Sequence, residues 1–109
     1  MKAVNFLKFI GILTVLSGLT ISSPVSALTG NEFQRLGDTQ IIYVTGAADQ
    51  ISMLNGLAGE NADICFPEGN SYGQVLKIVT KFLSNHPERL HEPMPVLVYN
   101  ALVLAFPCD

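Results

Sequence analysis

The sequence is poor in the residues that most chemistry needs. It has no tryptophan, two cysteines and two histidines among 109 residues. Bases are scarce as well. Lys2 and Lys8 sit at the N-terminus, and beyond residue 27 only Arg35, Lys77, Lys81 and Arg89 remain. All 9 acids lie in that same stretch, which leaves it a net charge of about −5. Four scattered cations cannot build a basic patch, so duplex nucleic acid and anionic membrane surfaces are disfavoured as partners. Long apolar runs are missing too. The uncharged, mostly apolar run Phe9 to Ile21, thirteen residues, falls short of the roughly 20 residues that cross a bilayer. There is no Cys-x-x-Cys, no Gly-x-Ser-x-Gly, no phosphate-cradling glycine motif, no internal repeat and no low-complexity tract. What remains is 49% apolar and 14% charged, too apolar for a disordered chain and short enough for one domain.

The N-terminus reads as an export signal. Lys2 and Lys8 supply the positive start, Phe9 to Ile21 the apolar segment, and Pro24 breaks the helix ahead of the small residues Val25, Ser26 and Ala27. That order predicts cleavage after Ala27 and a mature domain from Leu28 to Asp109 in the periplasm. No cysteine stands at the junction, which disfavours a lipoprotein. In an oxidising compartment Cys65 and Cys108 are expected to pair as a structural disulfide. Metal binding is the weaker alternative, because no histidine lies at ligand spacing from either cysteine.

The mature chain predicts an all-α fold, a small bundle of about four helices with one disulfide. Phe33 and Leu36 begin an apolar pattern that Gly37 interrupts. Asp38 or Thr39 is expected to cap a second helix carrying Ile41, Val44, Ala48, Ile51, Met53 and Leu54, stopping at Asn55–Gly56. The β-branched run Ile41 to Thr45 is also compatible with a strand, but no partner strand is evident. Residues 57–70 read as a loop holding Cys65, with Phe66 turned inward. Ser71-Tyr72-Gly73-Gln74 is a capping box. It opens a helix whose Val75, Leu76, Val79, Phe82 and Leu83 form one stripe, until Asn85-His86-Pro87 stops it. Pro95 opens the last helix, apolar on nearly every side, and Pro107 closes it. Such a helix is central or faces a second subunit. The small patch Gly46-Ala47-Ala48 likewise suits close approach of another backbone, in the core or in a dimer.

One cluster tempts a catalytic or zinc reading: His86, Glu88, His91 and Glu92. The two histidines stand five apart across Pro87 rather than four apart on a helix, and no HExxH pattern supports them. They read better as a polar connector. Ser71 reads as a cap rather than a nucleophile, and Tyr72 and Tyr99 as helix residues with wet hydroxyls. No catalytic, metal or cofactor site is expected, and no enzymatic activity.

The ordered set of segments is more informative than any one of them. Tyr43-Val-x-Gly46-x-x-Asp49 comes first, then Cys65-Phe-Pro-Glu-Gly-Asn-Ser71. Leu83-Ser-Asn-His86-Pro87-Glu88 and His91 follow, then Ala101-Leu102 and Phe106-Pro107-Cys108. This order resembles the Tai family of type VI secretion immunity proteins, across about residues 31 to 108. The resemblance implies a small helical periplasmic protein, often a homodimer, that binds and blocks an incoming peptidoglycan amidase or related effector. Many members carry an additional cysteine pair near the first helix, and Phe33 to Ile42 contains none here. An immunity protein needs a rigid scaffold and a loop that plugs a cleft. Two segments qualify: the loop with Glu60, Asp63 and Glu68, and the connector with His86, Glu88, His91 and Glu92. The rival reading is a general periplasmic stress or chaperone-like helical protein without a dedicated toxin.

Overall fold

A computed structural model describes residues 26–109 of the chain. The expected export signal falls almost wholly outside the described residues. Among those described, four α-helices form: α1 (Gly30–Gln34), α2 (Gln40–Ala58), α3 (Tyr72–Asn85) and α4 (Met94–Ala105). No strand is present among them, only two isolated bridges, Thr29 with Pro93 and Ile64 with Pro107. No helix of the described residues is long and apolar enough to cross a membrane.

Helix α3 is the middle of the bundle. Ser71 accepts from the backbone N–H of Gln74 at 3.1 Å, so the hydroxyl half of the expected capping box forms. Val75, Val79, Phe82 and Leu83 then bury one face. This face packs extensively on both α2 and α4, while α2 and α4 meet each other over a shorter stretch. Val44 and Ala48 are the buried residues of α2, and Met94, Leu97, Val98, Ala101 and Leu102 those of α4.

Helix α2 corrects the sequence reading at both ends. Thr39 makes no side-chain cap; a 3-10 turn over Gly37–Thr39 runs directly into the helix. Nor does Gly56 stop it. The helix continues to Ala58 and ends at Gly59, whose φ of 58° is the left-handed conformation that favours glycine. Met53 and Leu54, expected in the inward stripe, are each 52% exposed. The run Ile41 to Thr45 is helical.

The segment Leu28–Asn31 does more than lead in. Thr29 and Glu32 form a complete capping box on α1. The backbone of Gly30 donates to the Glu92 carbonyl and that of Asn31 to the Leu90 carbonyl, while Leu28 accepts from Met94. A Cβ on Gly30 would stand 2.9 Å from Leu97 Cδ1 and 3.1 Å from Leu90 Cα, so this crossing is tight and a larger residue would have to push its neighbours aside. Phe33 fills the corner, fully buried, with its ring 5.8 Å from that of Tyr43.

The loop after α2 is tied down. Ile64 is 2% exposed and its carbonyl accepts from the Asn55 amide. Cys65 donates its backbone N–H to Phe106 and bonds covalently to Cys108. The Phe66 ring lies 5.7 Å from that of Phe106. The expected bridge and the inward turn of Phe66 are both present.

Candidate functional site: a groove and two polar connectors

Helices α2 and α4 meet each other over a shorter stretch than either meets α3, and a groove lies between them. Its volume is about 560 Å³, and its walls are Ile42, Tyr43, Gly46, Ala47, Gln50, Ile51 and Leu54 from α2 with Pro95, Val98 and Tyr99 from α4. No charged residue lines it. A second hollow of about 160 Å³ shares Ile51, Leu54 and Tyr99 with the first and extends it past Ala58 and Asn61 to Asp63. The two form one track, apolar along most of its length and acidic at one end. Tyr99 Oη donates to Asp63 Oδ2 at 2.5 Å across this end. That bond to the carboxylate raises the tyrosine pKa above its ordinary value.

The groove escaped the sequence reading, and its signal was composition. Helix α2 carries a single charge, Asp49, in 19 residues. A helix apolar on both faces is normally buried all round, yet Ile42 is 71% and Leu57 78% exposed. Asp49 itself accepts from the Tyr72 hydroxyl, which raises the Tyr72 pKa and pins the start of α3 to α2.

The polar residues expected from sequence fall in two separate places. Glu60 is exposed on the 3-10 turn Gly59–Asn61, Asp63 is exposed at the groove end, and Glu68 is exposed in the turn before Gly69. The other four sit on the α3–α4 connector. His86 stacks on the Phe82 ring at 4.2 Å, and its Nδ1 donates to the Phe82 carbonyl at 2.8 Å. Glu88 and His91 are exposed. Glu92 receives both Arg89 Nε at 2.7 Å and an Arg89 terminal nitrogen at 3.0 Å. The Arg89 guanidinium also lies over the Phe82 ring at 5.5 Å. Among the described residues no three of His, Cys, Asp and Glu gather where a metal ion could be held. The connector is therefore braced: its backbone is held by Leu28–Asn31 and its ion pair is closed on itself.

That ion pair has a pH signature. The bidentate bond from Arg89 holds the Glu92 carboxyl below its ordinary value. A depressed carboxylate pKa contributes stability at pH values above the unfolded-state pKa, and the contribution disappears as pH falls through the folded-state value. The pair is partly solvated, so the effect is small. Thermal melts of the parent and Glu92→Gln should differ slightly at pH 7 and converge only as the pH falls below the ordinary glutamate range. A gap that widens in acid would contradict the pairing.

A protein-family profile described as Rap1a immunity proteins matches residues 29–108. The chain belongs to that family. It is a family of type VI secretion immunity proteins, which bind a cognate effector and are generally non-enzymatic. Neither curated proteins nor solved structures give a match. The Rap1a match begins at Thr29 and ends at Cys108, so it takes in the α1 capping box, the whole bundle and both bridge cysteines. For a Rap1a protein the useful features are those that present a fixed surface: a loop tethered by Cys65, a connector braced by Arg89, and an open groove between α2 and α4.

Proposed function

We propose that this Rap1a protein is exported to the periplasm and there neutralises a type VI effector of the peptidoglycan-amidase class, in the manner of the Tai proteins it resembles. The observation that carries this reading is the family match over residues 29–108. Physical features agree with it. The residues 59–70 loop is anchored by Ile64, Asn55 and the disulfide, which lowers the ordering cost of binding. Its outward side chains Glu60, Asp63 and Glu68 are acids, suited to meeting a basic effector surface by electrostatic steering. The resemblance also carries a homodimer, which light scattering on the mature protein reads directly.

The test is co-expression in the periplasm with a candidate effector of the amidase class encoded by a neighbouring gene. The signal-bearing form should prevent lysis. A form lacking residues 1–27 should not, since it stays in the cytoplasm, away from the toxin and with its thiols reduced. Intact mass of the periplasmic protein should correspond to a start at Leu28.

The exposed groove also suits a second reading, a chaperone-like stress protein that shelters apolar segments of unfolded chains. Such a protein would bind many denatured substrates weakly and give no selective protection against one effector. Lysis that proceeds equally with and without the signal-bearing form, together with no binding of the effector by the protein or its loop variants, favours this second reading.

A further inference from the structure

The segment that follows the expected cleavage point is stitched into the fold from its first residue. The Leu28 carbonyl accepts from Met94, Gly30 donates to the Glu92 carbonyl at 3.2 Å, and Asn31 donates to the Leu90 carbonyl at 2.9 Å. Between these bonds Thr29 pairs with Pro93 as an antiparallel bridge. Leu28 packs against the core and Gly30 is buried. Thr29 is held a second time by Glu32, which accepts from both its backbone N–H and its hydroxyl. Leu28–Asn31 is therefore a strap closed against the connector. Ala27, the residue before it, is exposed, and Ala27–Leu28 is the bond at which the export signal is expected to be cut.

Cutting and docking make opposite demands on these residues. A peptidase holds its substrate extended, with residues on both sides of the scissile bond inside its cleft. A bond hydrogen-bonded into a fold is cut through its opened form, at a rate set by the opened fraction. Here the two residues past the bond are Leu28, whose carbonyl is engaged by Met94, and Thr29, which sits in the bridge and the capping box. Freeing them takes down those ties and the first turn of α1. Reach adds a second constraint. The apolar part of the signal ends at Ile21, so only residues 22–27 separate it from the strap. Fully extended they span at most about 22 Å, less than the roughly 30 Å breadth of a domain of this size. The folded bundle therefore crowds the bond from one side while the membrane crowds it from the other. Topology sets the order of events. An exported chain emerges N-terminus first, and the partners of the strap lie at residues 90–94. The bond is open until nearly the whole chain has crossed, and it closes when the connector arrives.

We propose that docking of the strap Leu28–Asn31 onto residues 90–94 closes the Ala27–Leu28 bond to the signal peptidase, so that processing precedes formation of the α1 corner and a chain that folds first stays tethered by its signal. The proposal rests on the export part of the reading above. It is tested on the full-length chain in detergent micelles, oxidised and folded by circular dichroism, and incubated with purified signal peptidase. Water adds across the Ala27–Leu28 amide, giving the Ala27 carboxylate and the Leu28 amine, and intact mass counts the chain that starts at Leu28. The Leu97→Ala, Cys108→Ser double variant, unfolded at the assay temperature, gives the rate at an open bond. The folded parent should be cut at least about tenfold more slowly. A folded form with a spacer after Ala27, beginning Leu-Thr and continuing as ten glycines and serines, should be cut within about twofold of the unfolded rate. Glu32→Ala removes the box that holds Thr29 from a residue outside the cleavage site. It should raise the rate of the folded chain about threefold or more and leave the melting temperature within a few degrees of the parent's.

Equal rates for the folded parent, the spacer form and the unfolded variant would overturn the proposal and leave the export reading standing. If the spacer restores cutting while Glu32→Ala leaves the rate unmoved, nearness of the bundle alone blocks the bond, and the role given to the strap is wrong. If no form, the unfolded one included, yields a chain starting at Leu28, the cleavage site and the export reading fail and the proposal falls with them.

Discussion

Cys108→Ser should melt about 15–30 °C below the parent. The loop closed by Cys65 and Cys108 spans a sequence separation of 43, and cross-linking a loop of this size removes about 4 kcal/mol of unfolded-chain entropy. A domain of this size loses roughly 4–8 °C of Tm for each kcal/mol. The non-covalent ties at the same place do not substitute for the bridge. Burial of Ile64, the Asn55 bond to its carbonyl and the Cys65-to-Phe106 backbone bond act in the folded state, whereas the bridge acts mainly by restricting the unfolded one. The parent in excess reductant should melt like the variant. Non-reducing thermal melts followed by circular dichroism are sufficient, and a loss under about 5 °C would mean that the unfolded chain is already compact around residues 65–108.

This bridge was legible because the chain has only two cysteines to pair and the expected export would place them in an oxidising compartment. Helix α3 was legible for a local reason: Ser71 is spaced for its cap, and Val75, Val79, Phe82 and Leu83 repeat at helical period against a polar face. Helix α2 resisted. With one charge in 19 residues it offers no polar face to set the phase, so Met53 and Leu54 could not be placed outward from sequence. Its end was misread because Asn55–Gly56 looks like a stop, while Gly59 is the glycine whose backbone actually turns left-handed. The α1 cap is a different omission. Thr29 and Glu32 have the same spacing as Ser71 and Gln74, but only five helical residues follow, too few to show a period. What holds α1 is the Leu90–Met94 backbone some sixty residues away, and no local pattern announces that. The groove is further still from the sequence. It is lined by side chains from α2 and α4 together, Ile42 to Leu54 on one and Pro95 to Tyr99 on the other, far apart in sequence. The polar residues of the connector were visible as a cluster, yet the sequence did not show that Arg89 and Glu92 close on each other.

The last helix shows most sharply what three dimensions add, and it yields the second large effect. Leu97 and Leu104 stand on α4 in a run that is apolar on nearly every side, and sequence alone ranks them as equals. The structure separates them: Leu97 is 0% exposed and Leu104 69%. Leu97 is also the side chain against which Gly30 is laid, and the Leu90 backbone closes the same corner. Backbone held by the Leu28–Asn31 hydrogen bonds cannot easily move in to fill a void there. Leu97→Ala should therefore fall in the upper range of buried leucine truncations, about 3–5 kcal/mol. Leu104→Ala should cost less than about 0.5 kcal/mol, as expected for a surface position. Urea denaturation of the two variants with the disulfide intact compares them directly. Equal losses would mean that α4 is rotated about its axis from the orientation described, and with it the wall that Val98 and Tyr99 give the groove. A large loss at Leu97 alone fixes that rotation and leaves Tyr99 facing Asp63.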